Sequence, residues 1–219
     1  MAFHNILTLS SLRRHLDANG LRFSGRKLRL ALVLIAIGVV GRIVFLSLRL
    51  ANIETVMVAS LLAGSLLGGL YVVIVPVSIL LSTDVIIYLA KYPGFYPLQD
   101  VALLAMFVYS GFVLVSLVGM ASRRHVVFKL KSVAILTAIS IPATILYDVW
   151  TATGMWWTIL GRPPSSLSLL QVYSAQVPFT FFHVLSSLIF VPLFGTIFIY
   201  YLGQPSALPS PTPASADEP

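Results

Sequence analysis

Stretches of about twenty apolar residues return along this chain from Leu28 almost to its end, each closed by glycine, proline or charge. That is the length an α-helix needs to cross the hydrocarbon core of a bilayer. Repeated several times, it points to a polytopic, all-α integral membrane protein. A membrane barrel would show alternating segments of about ten residues instead, and the sequence has none. Composition agrees, because only 10% of the residues are charged, against about 25% in soluble domains.

Six spans can be read: Leu28–Leu50, Thr55–Leu67, Leu70–Ala90, Val101–Ala121, Val133–Thr153 and Leu170–Leu202. The second is short and ends at Gly68-Gly69. The connectors "KYPGFYPLQD" (91–100), "SRRHVVFKLK" (122–131) and "GMWWTILGRPPSSLS" (154–168) interrupt the helical runs with Pro, Gly and charge. The chain therefore divides into a basic leader (1–27), a six-helix membrane domain (28–202) and a Pro/Ser-rich tail (203–219) with the composition of disorder. The leader lacks the apolar core and cleavage site of a signal peptide. Its segment Phe3–Leu16 has the pattern of an amphipathic helix lying on the inner leaflet.

The net charge of +7 would suggest nucleic acid in a soluble protein. Here it follows the positive-inside bias, which sets orientation by Lys and Arg in short loops. The leader and its junction with the first span hold six basic residues. The loop between spans four and five holds Arg123, Arg124, Lys129 and Lys131. With an even number of spans, ten of the fourteen basic residues then face the cytoplasm and both termini lie inside. The expected location is the plasma membrane, with the lipid bilayer as solvent and no nucleic-acid partner.

This topology puts every acidic residue of the membrane domain toward the outside: Glu54, Asp84, Asp100 and Asp148. His183 falls near mid-depth in the sixth span. Arg42 lies past the middle of the first, as a counter-ion to Glu54 or Asp148 or as a side chain reaching the outer surface. Tyr147, Trp150, Trp156 and Trp157 surround Asp148 in the sequence "ILYDVWTATGMWW". A charge at the bilayer centre costs roughly 2.5–3.5 kcal/mol on insertion scales, so a cluster needs pairing, water or a ligand. One reading is an outward-open cavity lined by carboxylates and aromatic rings. The plainer one is an aromatic belt at headgroup depth, with Asp100 capping its helix.

In the second span, Ala59–Ala63, Ser60–Gly64, Gly64–Gly68 and Ser65–Gly69 are four apart, a spacing that lets helix backbones approach closely. It serves either packing within the domain or docking of another membrane subunit. Enzymatic signatures are lacking. There is no phosphate loop and no H-E-x-x-H zinc motif, and the chain has no cysteine. Ser65 and His183, the one serine–histidine pairing considered for catalysis, fall at different depths. No metal or cofactor is expected.

Three stretches in order carry a resemblance. "ALVLIAIGVVGRIVF…ANIETVMVASLLAGSLLGG" contains Gly41-Arg42 and Asn52. "LLSTDVIIYLAKYPGFYPLQD" contains Ser82, Asp84, Pro97 and Gln99. "VPFTFFHVLSS" contains Pro178, Phe179, His183 and Ser186. Together they resemble the substrate-binding S components of energy-coupling factor (ECF) vitamin importers, loosely over residues 28–202. Thr180 and Ser187 stand where that pattern has Asp and Asn, and Ala51 stands where it has Pro before Asn52.

The resemblance implies six helices with both termini inside and capture of a vitamin-like heterocycle from outside. It also implies a transmembrane coupling subunit and cytoplasmic ATPases as partners, since this chain supplies no ATPase of its own. The substrate-binding residues it suggests, together with the polar and aromatic cluster, are Asn52, Glu54, Asp84, Gln99, Tyr147, Asp148, Trp156 and His183. The layout is closest to S components for cobalamin or pyrimidine-type precursors. His4, set behind Ala2 and Phe3, speaks against nickel or cobalt uptake. The alternatives are a scaffold protein of a larger membrane complex, and an intramembrane enzyme with Asp148 and His183 as acid and base.

Overall fold

A computed structural model describes residues 25–50, 53, 55–89, 98–126 and 130–203. All regular structure in them is helical. The elements are α1 (Gly25–Ser47), α2 (Val56–Leu62, prolonged by a π-turn Ala63–Leu67), α3 (Tyr71–Leu89), α4 (Leu98–Ser122, with a 3-10 turn Arg123–His125), α5 (Leu130–Met155, with a π-turn Trp156–Leu160) and α6 (Leu169–Gly203). Four of them, α1, α4, α5 and α6, are long and apolar enough to cross a membrane; α2 and α3 are shorter apolar helices. Most of the leader (1–24), the tail from 204 on and the connector 90–97 lie outside the described residues.

The fifth helix runs further than its sequence suggests. Residues 154–160, expected in a connector, continue α5 as helix and π-turn. Gly154 is tolerated there because the ring of Phe107 packs over it, and "MWWTIL" is apolar throughout. The break comes only at Gly161, where Arg162 and two prolines follow.

α2 sits at the centre. All seven residues Val56–Leu62 are buried, and α1, α3, α4, α5 and α6 all pack against it. A helix apolar on every side is stable only when enclosed, and this one is enclosed by protein. At 1.5 Å per residue, α2 with its π-turn is about 18 Å long, well short of a hydrocarbon core of about 30 Å.

Its closest neighbour is α4. A side chain on Gly64 would strike the backbone of Ser116, and one on Gly119 the backbone of Leu61. Ser116 Oγ donates to the carbonyl of Ser60 at 2.8 Å. The small-residue spacing therefore serves packing within the chain, with serine and glycine letting two backbones meet. Gly68 and Gly69, at φ +64° and +58°, make the reversal from α2 into α3 in a region that side chains disfavour.

One end of the bundle gathers the basic residues. Lys27 Nζ reaches the carbonyl of Leu67 at 3.4 Å, Arg26 donates to the carbonyl of Tyr201, and the Arg123 side chain lies beside Gly68. The start of α1 and the ends of α2, α4 and α6 thus share a face.

Candidate functional site

α5 and α6 pack along most of their length, and their seam is polar where both helices are otherwise apolar. On α5, Ser140, Thr144 and Asp148 recur every four residues and are all buried, one above another on a single face. α6 answers with His183, Ser186 and Ser187, also buried. Thr144 and Ser187 hydroxyls meet at 3.1 Å. One turn away, His183 Nδ1 faces Asp148 Oδ1 at 2.7 Å, a short, charge-assisted contact. Gln176 Nε2 donates to the same oxygen at 3.4 Å. The Tyr147 ring lies 4.4 Å from Phe112 and 5.8 Å, edge-on, from the His183 imidazole.

The two oxygens of Asp148 differ. Oδ1 takes both contacts, while Oδ2 is buried and has no hydrogen-bond partner. The residue is 1% exposed. A buried acceptor left unpaired costs the full desolvation of that group, roughly 1–3 kcal/mol and more when charged, so this arrangement persists against a penalty. Among the described residues no third His, Asp or Glu completes a metal-ligand set.

Asp84 belongs to a different cluster. Arg42 Nη1 lies 3.0 Å from Asp84 Oδ1 and donates to Thr83 Oγ1 at 2.7 Å. Tyr109 donates to Asp84 Oδ2 at 2.9 Å. Arg42 therefore pairs with Asp84, a partner the sequence did not suggest; of the two it did, Asp148 pairs elsewhere and Glu54 lies outside the described residues. Asp84 is 42 residues away from Arg42 in sequence but comes beside it because α1 and α3 pack together. Both oxygens of Asp84 are satisfied, and three helices are tied together half-exposed. Because the pair is partly solvated, Arg42→Met should cost only about 1 kcal/mol, with Asp84→Asn alone similar and the double variant costing little more than either single. Thermal unfolding of the three variants in nanodiscs checks this.

The remaining expected site residues are placed elsewhere. Trp156 Nε1 donates to the carbonyl of Leu167 at 2.9 Å, clasping the loop that follows α5. Trp157 is exposed, with its ring edge on Phe107 at 5.8 Å and the Arg162 guanidinium 5.9 Å away. Gln99 is exposed on the first turn of α4, the turn that also carries Asp100. Asn52 and Glu54 lie outside the described residues. Of the eight residues, the structure brings together Tyr147, Asp148 and His183.

Sequence reasoning missed Gln176, Thr144 and Tyr109. The first two were legible: Thr144 is four residues before Asp148, and Gln176 is seven before His183, two helical turns on one face. Nothing in the sequence points from Asp84 to Tyr109. An apolar groove of about 520 Å³ also runs between α5 and α6, lined by Ala134, Thr137, Ala138, Leu188 and Pro192 among others. It presents no ionisable group.

No curated protein and no solved structure matches the chain. The family described as a family of unknown function, DUF6580, matches residues 23–208. That is most of the chain and includes every helix described above, and the protein belongs to the DUF6580 family.

Proposed function

We propose that the protein is the substrate-capture subunit of an ECF-type importer: a six-span protein of the plasma membrane, both termini cytoplasmic, that takes a vitamin-like heterocycle from the outer side. A transmembrane coupling subunit and ATPases supply the energy, and this chain is not itself an enzyme. The observation that carries the reading is the enclosed Asp148–His183 pair with Asp148 Oδ2 left open. A carboxylate kept at such a penalty inside an apolar bundle marks a functional position, and it is held by helices that include the "VPFTFFHVLSS" stretch of the resemblance.

The basic end of the bundle fits the cytoplasmic side by the positive-inside bias. α5 starts near that end, and Asp148 lies eighteen residues along it, about 27 Å at 1.5 Å per residue. The carboxylate then belongs to the outer part of the membrane. α2 counts as a span although it is short, because a segment enclosed by protein need not match the lipid thickness.

Native mass spectrometry on protein gently purified from its own membranes tests this. A retained small heterocycle, absent from Asp148→Ala and His183→Ala, supports capture. Bare protein and lipid, with no coupling subunit at low detergent, would turn the reading toward a scaffold role. The 2.7 Å Asp148–His183 contact also favours a second reading, an intramembrane enzyme in which the carboxylate orients an imidazole acid–base. Product formation by the purified protein without ATPases would select it.

A further inference from the structure

The apolar groove between α5 and α6 has a length, a lining and a mouth that suit one kind of occupant. Both helices are long and apolar enough to cross a membrane. On α5 the groove runs from Leu130, the first residue of the helix, to Ile141. Eleven residues at 1.5 Å each make about 17 Å, close to half of a hydrocarbon core of about 30 Å. The groove therefore reaches from the basic end of the bundle to about the bilayer midplane, the depth of a single leaflet.

Its lining suits hydrocarbon. Thr137 Oγ1 donates to the carbonyl of Val133 at 2.8 Å, and Thr196 Oγ1 to that of Pro192 at 2.7 Å. Both hydroxyl protons are thus spent within their own helices, and the rest of the wall is apolar. A polar solute would give up water there for little return. A further membrane helix fits less well than a lipid chain, because close helix packing needs small residues along the contact. Ala134 and Ala138 are small, but Leu130, Ile141 and Leu188 stand among them and would hold a rigid helix off the alanines. A flexible acyl chain can follow that surface.

The mouth is basic. Lys131 is exposed in the first turn of α5, three residues before Ala134 and seven before Ala138, and so on their side of the helix. The stretch 122–131 carries Arg123, Arg124, Lys129 and Lys131 and no acidic residue. The first turn of α5 has no acidic residue either, so the positive end of the helix dipole adds to the attraction for an anion. On α6, Tyr200 lies one turn beyond Thr196 on the same face and is exposed, a residue type enriched at headgroup depth. We propose that the groove binds one anionic phospholipid from the leaflet at the basic end, an acyl chain lying against Ala134 and Ala138 and the phosphate sitting on Lys131. Such a site needs only that α5 and α6 cross a bilayer, whatever solute the protein captures.

Native mass spectrometry tests this on the full-length protein in a mild detergent, supplied with equal amounts of phosphatidylglycerol and phosphatidylcholine of identical acyl chains. The expected result is one retained phosphatidylglycerol per chain, preferred over phosphatidylcholine by at least about fivefold, the weight of one lysine beside an anionic lipid. Lys131→Gln should lower that preference by about the same factor. Ala138→Phe, which fills the groove from an exposed position, should remove the retained lipid, while Val40→Phe, also exposed but on α1, should keep it. Equal retention of the two lipids by wild type, or a preference unchanged in Lys131→Gln, overturns the site. Lipid retained undiminished by Ala138→Phe does the same. A protein dimer that Ala138→Phe dissolves overturns it in favour of a second copy of the chain. The wild-type comparison and Lys131→Gln decide the matter even where Ala138→Phe folds poorly.

Discussion

His183→Leu is expected to lower the stability of the protein in nanodiscs by roughly 3–5 kcal/mol, whereas Asp148→Leu combined with His183→Leu should recover most of that loss. The single substitution takes away the partner at 2.7 Å and leaves a carboxylate, 1% exposed, with Gln176 at 3.4 Å as its remaining partner. Uncompensated buried charge is among the few mechanisms that produce effects of this size. The double substitution removes the charge as well and fills the seam with apolar side chains of suitable bulk. Unfolding measurements on the four members of the cycle isolate the coupling between the two residues. If the double variant is as unstable as the single one, the pair matters through packing and not through charge.

Gly64→Leu should be as damaging for a different reason. Its new side chain would collide with the backbone of Ser116, and a backbone in the centre of a bundle cannot move aside as a flexible side chain can. Overpacking of this kind costs about 3 kcal/mol at the upper end of its usual range. It also pushes α2 away from α4 and stretches the Ser116–Ser60 hydrogen bond of 2.8 Å. Gly119→Leu meets the same interface from the other helix and should behave alike, while Gly25→Ala, with open space around it, should be silent. Size-exclusion profiles and unfolding temperatures in the same detergent separate these outcomes. A well-folded Gly64→Leu protein would mean that α2 and α4 do not meet as closely as described.

The two substitutions probe the two kinds of contact that set this fold. Apolar helices in lipid gain little from hiding apolar surface against one another, so close backbone approach and interhelical polar contacts do much of the joining. The α2–α4 contact uses the first of these. The α5–α6 seam uses the second, with Thr144–Ser187 and Asp148–His183 stacked one turn apart.

Much of this was readable along the chain. Six membrane spans were expected; among the described residues there are six main helices, four of them long and apolar enough to cross a membrane, with ends that shift by only a few residues except after Thr153. There, aromatic side chains in "MWWTIL" were read as a connector because Gly154 and the tryptophans look like interfacial punctuation. Burial of Gly154 under Phe107 is a contact with another helix, which a local reading cannot weigh. Asp148 and His183 were both singled out by their isolation in apolar runs, and they prove to be partners. Asp84 was singled out in the same way, yet it faces Arg42 and Tyr109 and has no unpartnered oxygen of the kind seen in Asp148.

The sequence by itself determined the helices, most of the places where they stop, and the short list of polar residues too costly to bury without a reason. Those follow from hydropathy, from glycine and proline, and from the desolvation of charge, all properties of a residue and its near neighbours. Which carboxylate meets which base was decided only by the tertiary structure. Asp148 and Asp84 look alike in sequence, and only the packing of α5 on α6, and of α1 on α3 and α4, gives the first an imidazole with one oxygen left over and the second a guanidinium and a phenol.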